Sequence, residues 1–145
     1  MAEQLDRPIN RGFGRVLVFI YGVFALSASA RAGVQIGTKF GEAPLAYSLS
    51  ALAALVYIVA TVALARSSAT SRRIAVAAVG FELLGVLTVG TASLVDSDAF
   101  PDATVWSDFG QGYGYVPLVL PFVGLLWLWR TSRRAPVAQP TAPRD

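Results

Sequence analysis

The sequence predicts an all-α integral membrane protein, a four-helix bundle with both ends in the cytoplasm. Three observations predict it. Charged residues make up 14% of the chain and hydrophobic residues 54%, against about 25% charged in a soluble domain. The charges sit in short clusters separated by long apolar runs, each near the roughly 20 residues that cross a bilayer. The positive charges also fall almost entirely on alternate connections, as the rule that places basic residues on the cytoplasmic side requires.

Taken in order, the first ten or twelve residues read as a loose cytoplasmic tail, within 1–12. A single membrane domain, 13–130, follows. Its first span, about 16–38, is interrupted only by Arg31. The second, about 43–65, is uncharged, and the third, about 74–95, is interrupted only by Glu82. The fourth, about 112–130, contains Pro117 and Pro121. A helix beginning at Pro117 would run only about 20 Å to Trp129, short of a ~30 Å hydrocarbon core. Either the helix starts earlier and kinks, or Gly110–Gly114 dips irregularly into the protein, where protein or water must surround it. Residues 131–145, rich in Pro and Ala, read as a disordered cytoplasmic tail.

Orientation follows from counting. Arg7, Arg11, Arg15, Arg66, Arg72, Arg73, Arg130, Arg133, Arg134 and Arg144 fall on one side; Arg31 and Lys39 fall on the other. The first side is assigned to the cytoplasm. Asp96, Asp98, Asp102 and Asp108 lie outside. Trp127 and Trp129 mark the inner interface, and Trp106, Phe109, Tyr113 and Tyr115 the outer one. The Ala28-Ser29-Ala30 motif after a basic start resembles a signal-peptidase site. Apolar sequence resumes after Arg31 and favours an intact span.

Composition also excludes functions. The chain has neither Cys nor His. Thiol redox chemistry, His-ligated haem and Ser-His or Cys-His hydrolysis are therefore ruled out. The net charge of +3 is explained by orientation, not by nucleic acid, since no basic surface interleaved with aromatics is present. The spacing of the outer aspartates matches no calcium loop. Gly112-Tyr113-Gly114 resembles part of a potassium filter but lacks a pore helix before it, and fits a turn. No catalytic, cofactor or metal site is expected.

The intramembrane polar candidates are Glu82, Arg31, Tyr57, Ser50 and Gln35. Glu82 lies about 4 Å inward of the middle of its span at the helical rise. Its stripe of Ala75, Ala78 and Gly85 turns it toward other protein. A charge there is costly, so the carboxyl is expected neutral or paired. Tyr47, Ser50, Ala54, Tyr57 and Thr61 share one helical face, and reflection about the short second loop sets Tyr57 opposite Glu82. Arg31, on a stripe with Ser27 and Gln35, either leans toward Glu82 or snorkels to the outer headgroups. Glu82 itself reads either as a structural hydrogen-bonding group or as a proton- or substrate-coupling carboxyl.

Two segments carry a resemblance. Thr38–Ser50 (TKFGEAPLAYSLS) and Phe100–Gly110 (FPDATVWSDFG), with the four spans, make the chain similar to uncharacterised small integral membrane proteins of actinobacteria. That resemblance implies a plasma-membrane location and a four-span fold, and no activity. Small multidrug-resistance transporters share the length and span number, but their essential glutamate lies in the first span. The expected function is a non-enzymatic accessory or scaffold subunit, its partners the bilayer and a larger membrane complex or itself. The alternatives are a small proton-coupled transporter using Glu82 and, more remotely, a lipid-modifying enzyme using Glu82 or the outer aspartates.

Overall fold

A computed structural model describes residues 2–133, with side chains described for residues 12–131. Four α-helices account for most of it: α1 (Ala2–Lys39), α2 (Pro44–Ala65), α3 (Ala69–Val95) and α4 (Val116–Arg133). The boundaries have local causes. Pro44 opens α2 at its first turn, where its missing N–H is no loss. Ser68 caps α3, its hydroxyl accepting from the Ser71 N–H at 3.1 Å, which satisfies one of the orphan donors of the first turn.

Two boundaries differ from expectation. Residues 2–12 continue α1 as helix where a loose tail is expected. Thr131–Arg133 belong to α4, and the rest of the expected C-terminal tail lies outside the described residues. The fourth span differs most. It is a 3-10 segment, Ser107–Tyr113, followed by α4 at an angle of 98°. Of the two options open in the sequence, the irregular approach is the one adopted. Asp108, Phe109 and Gly110 have φ of 51°, 60° and 83°, so the chain turns left-handed before α4 begins. Pro117 then falls in the first turn of α4, and Pro121 inside it.

α1 packs on α2, α2 on α3 and α3 on α4. Side chains close α4 back onto α1: the Trp127 indole lies over Gly14, and the Tyr21 hydroxyl lies beside Gly124. The core is rich in small residues, among them Ala25, Ala28, Ala53, Ala60, Ala75 and Ala78, which let helix backbones approach closely. The outside is the reverse of a soluble protein. Phe19, Leu26, Leu55, Leu84, Val119 and Phe122 are more than half exposed, while Glu82 is fully buried. Exposed apolar area on that scale marks a non-aqueous or protein environment. α1, α2 and α3 are each long and apolar enough to cross a membrane, and the bent 3-10–α4 pair makes a fourth such unit if counted as one span.

Candidate functional site

Glu82 lies at the meeting point of four elements. α3 presents it on the inward stripe with Ala75, Ala78 and Val86. From α1, the Tyr21 hydroxyl donates to Glu82 Oε2 at 2.6 Å. From α2, Tyr57 lies alongside, its ring centroid 6.1 Å from that of Tyr21. From the segment before α4, the Trp106 indole N–H donates to the Tyr57 hydroxyl at 3.1 Å. All four side chains are essentially inaccessible. Glu82 Oε1 is buried without a hydrogen-bond partner; Tyr57 flanks the carboxyl without closing a bond of ordinary geometry on that oxygen.

Trp106 reaches this depth because α3 has a slot for it. A Cβ on Gly85 would stand 2.6 Å from the Trp106 ring, and one on Gly90 would stand 2.5 Å from the Phe109 ring. Two glycines five residues apart thus let two aromatic rings lie directly on the α3 backbone. Trp106 is therefore not part of an interfacial belt. Its body fills a core position and its one polar atom is satisfied by Tyr57, which suits an amphipathic indole to burial.

The irregular backbone around Trp106 supplies its own hydrogen bonds, as depth requires. The Thr104 N–H donates to Ser107 Oγ at 2.8 Å, and the Trp106 and Ser107 N–H groups both donate to Thr104 Oγ1 at 3.1 Å. The Asp108 N–H donates to Ser93 Oγ on α3 at 2.8 Å. Within the segment Asp96–Asp108, Asp96–Asp98 are exposed and Thr104–Ser107 are buried.

A second cluster holds this segment from outside. Arg31 Nη1 donates to the Tyr113 hydroxyl at 2.8 Å and Nη2 to the Ala103 carbonyl at 3.1 Å. Asp102 accepts from the Tyr47 hydroxyl at 2.9 Å and lies 3.8 Å from Lys39 and 4.0 Å from Arg31. Tyr47 holds the Asp102 carboxyl below the usual aspartate range; partial burial opposes this, and the Ala103 N–H, Lys39 and Arg31 reinforce it.

The five sequence candidates therefore separate. Glu82 and Tyr57 come together as the hairpin reflection requires, but the bonded partner of Glu82 is Tyr21, on a helix that the reflection did not include. Arg31 bonds to Tyr113 and Ala103 of the segment before α4 rather than to Glu82. Of its stripe, Gln35 is buried and Ser27 exposed. Gln35 Oε1 and Ser50 Oγ are buried without hydrogen-bond partners and do not join the Glu82 cluster. Sequence reading missed Tyr21 and the inward role of Trp106. The signal for Tyr21 was its place on the face of Leu17, Ala25 and Ala28, the side of α1 that is buried.

Among the described residues, no group of three or more acidic side chains is arranged to hold a metal ion. Compared with protein-family models, curated proteins and solved structures, the chain matches none.

Proposed function

We propose that the chain is a multi-pass plasma-membrane protein, a four-helix bundle with both ends in the cytoplasm, that serves as a non-enzymatic accessory or scaffold subunit. One observation carries this reading. Three pairs of polar side chains are joined across the helices: Glu82 to Tyr21, Tyr57 to Trp106 and Arg31 to Tyr113. The last two ties fix the segment before α4 against α2 and α1, the first joins α1 to α3, and large apolar side chains stand exposed along all four helices. Such a body is built to be held rigidly in a bilayer and to pack against membrane partners.

A second reading, proton coupling through Glu82, is favoured by a single feature, the unpartnered Oε1 of a fully buried carboxyl. The same pair of variants separates the two. In the subunit reading Glu82→Gln keeps shape and hydrogen-bonding capacity. It should then unfold near the temperature of the unaltered protein and complement a deletion strain. Glu82→Ala should lose about 0.6–2 kcal/mol, the range for an intramembrane hydrogen bond. A Glu82→Gln protein of unaltered thermal stability that fails to complement would overturn the subunit reading in favour of proton coupling, since an amide carries no exchangeable carboxyl proton.

A further inference from the structure

At the end of the helices opposite the Arg31–Asp102 cluster lie two adjoining cavities of about 330 and 440 Å³, which share Leu64, Ser67 and Trp127. The smaller is also lined by Arg66, Arg72 and the first turn of α3 at Ser68 and Ala69. The larger is also lined by Arg15 and Val18 of α1. We propose that these cavities bind the phosphate headgroup of an anionic phospholipid. Arg15, Arg66 and Arg72 are its cationic partners, and Trp127 is the wall along which its glycerol and upper acyl chains lie. The inference rests on the membrane reading above.

Size, charge and lining support it. Each volume falls in the range of small-molecule sites, roughly 300–1,000 Å³. Arg15, Arg66, Arg72, Arg73 and Arg130 all belong to this end of the helices. Among the residues whose side chains are described, the carboxylates Glu42, Asp96, Asp98, Asp102 and Asp108 belong to the other end, and Glu82 to the middle. The arginines at this end thus outnumber the two carboxylates, Glu3 and Asp6, that open α1 at the same end. Arg72 is fixed in place. It donates to the Leu128 carbonyl at 3.5 Å and to the Thr131 hydroxyl, and a guanidinium with five N–H donors has others left for a ligand. The first turn of α3 adds backbone N–H groups, of which Ser68 occupies that of Ser71; such turns favour anions. Leu64, Val18 and Trp127 add apolar wall beside them. Basic pockets between spanning helices on the cytoplasmic side take anionic headgroups. The apolar walls favour a lipid over free phosphate, whose shared chemistry the arginines alone would not distinguish.

The test uses the full chain purified in neutral maltoside micelles. Phosphatidylglycerol, phosphatidylcholine or inorganic phosphate is added, and binding is read by native mass spectrometry and by the shift in unfolding temperature. Phosphatidylglycerol should be retained and should raise the unfolding temperature, with phosphatidylcholine and inorganic phosphate doing neither. Arg15→Gln and Arg66→Gln should each weaken phosphatidylglycerol binding about fivefold, the scale of one cation near an anionic surface. Arg73, exposed at the same end, is not among the residues lining these two cavities. Arg73→Gln should therefore have a distinctly smaller effect. Unfolding in lipid-free micelles shows whether each variant is intact, and the preference of the unaltered protein stands independently of the variants. Equal retention of both lipids, an equal loss in Arg73→Gln, or an equal response to inorganic phosphate would overturn the proposal. Release of the chain from cell membranes by alkaline carbonate would instead overturn the membrane reading. A chain that stays with the membrane but shows no headgroup preference overturns this proposal alone.

Discussion

Gly85 shows how one missing side chain arranges the centre of this protein. The Trp106 ring occupies the place a Cβ would take, and its N–H secures Tyr57 beside Glu82. Gly85→Ala should force the ring from its slot and lower stability by about 1–3 kcal/mol, the usual penalty for overpacking. Gly80, five residues earlier on α3, has nothing within 4 Å of where its Cβ would stand. Gly80→Ala should be neutral or slightly stabilising, since alanine favours helix by up to about 1 kcal/mol over glycine. Thermal unfolding of both variants in the same detergent checks this pair. Equal melting temperatures would mean that Trp106 does not lie on α3. The sequence showed that Gly85 belonged to the inward stripe of Glu82. It did not show what the glycine admits, because the ring comes from a segment 21 residues later whose path no local periodicity encodes.

The segment between α3 and α4 is the element on which the site depends. It is joined to α1 through Arg31, to α2 through Tyr47 and Tyr57, and to α3 through Ser93. Its outer tie depends on pH. Tyr47, first among the causes, holds the folded-state carboxyl of Asp102 below its ordinary value, which for an aspartate is near 3.9. A depressed folded-state pKa gives stability that is fully present above the unfolded value and lost as pH falls through the folded one. The unaltered protein should therefore unfold at a higher temperature than Asp102→Asn from neutral pH down to about 5. The difference should close as pH falls below about 4. Unfolding temperatures measured across that range check this. A difference independent of pH would show that the tie does not depend on the Asp102 charge.

For the whole molecule, the arginine distribution and the course of α1 lead to one joint prediction. Single cysteines at Ser68 and Asp98, at opposite ends of α3, should be labelled from inside and outside respectively. Asp98 is the better outer reporter because Asp102 is engaged with Tyr47 and Arg31. The first span should also remain attached. Cleavage after Ala30 would remove Tyr21 and leave the Glu82 carboxyl without the hydroxyl that now donates to it. Impermeant labelling of intact cells, with intact mass of the purified protein, reads both. Labelling of Ser68→Cys without permeabilisation, or a mass corresponding to a chain starting at Arg31, would refute it.

The sequence by itself determined the helical class, the presence of three long apolar helices, the inward face of Tyr47, Ser50 and Tyr57, and the burial of Glu82. Each is a property of one helix: hydrophobic length and a 3.6-residue period are written locally, and a carboxyl on a stripe of small residues has one side on which to hide. The tertiary structure alone decided what meets Glu82 and where Arg31 goes. Tyr21 reaches Glu82 across 61 positions, and Arg31 reaches Tyr113 across 82. Contacts of that separation depend on helix rotation and on the left-handed turn at Asp108–Gly110. Two of its three residues, Asp108 and Phe109, are non-glycine at positive φ, which ordinary propensities disfavour, and the turn is held by Ser93 and by Gly90 of α3.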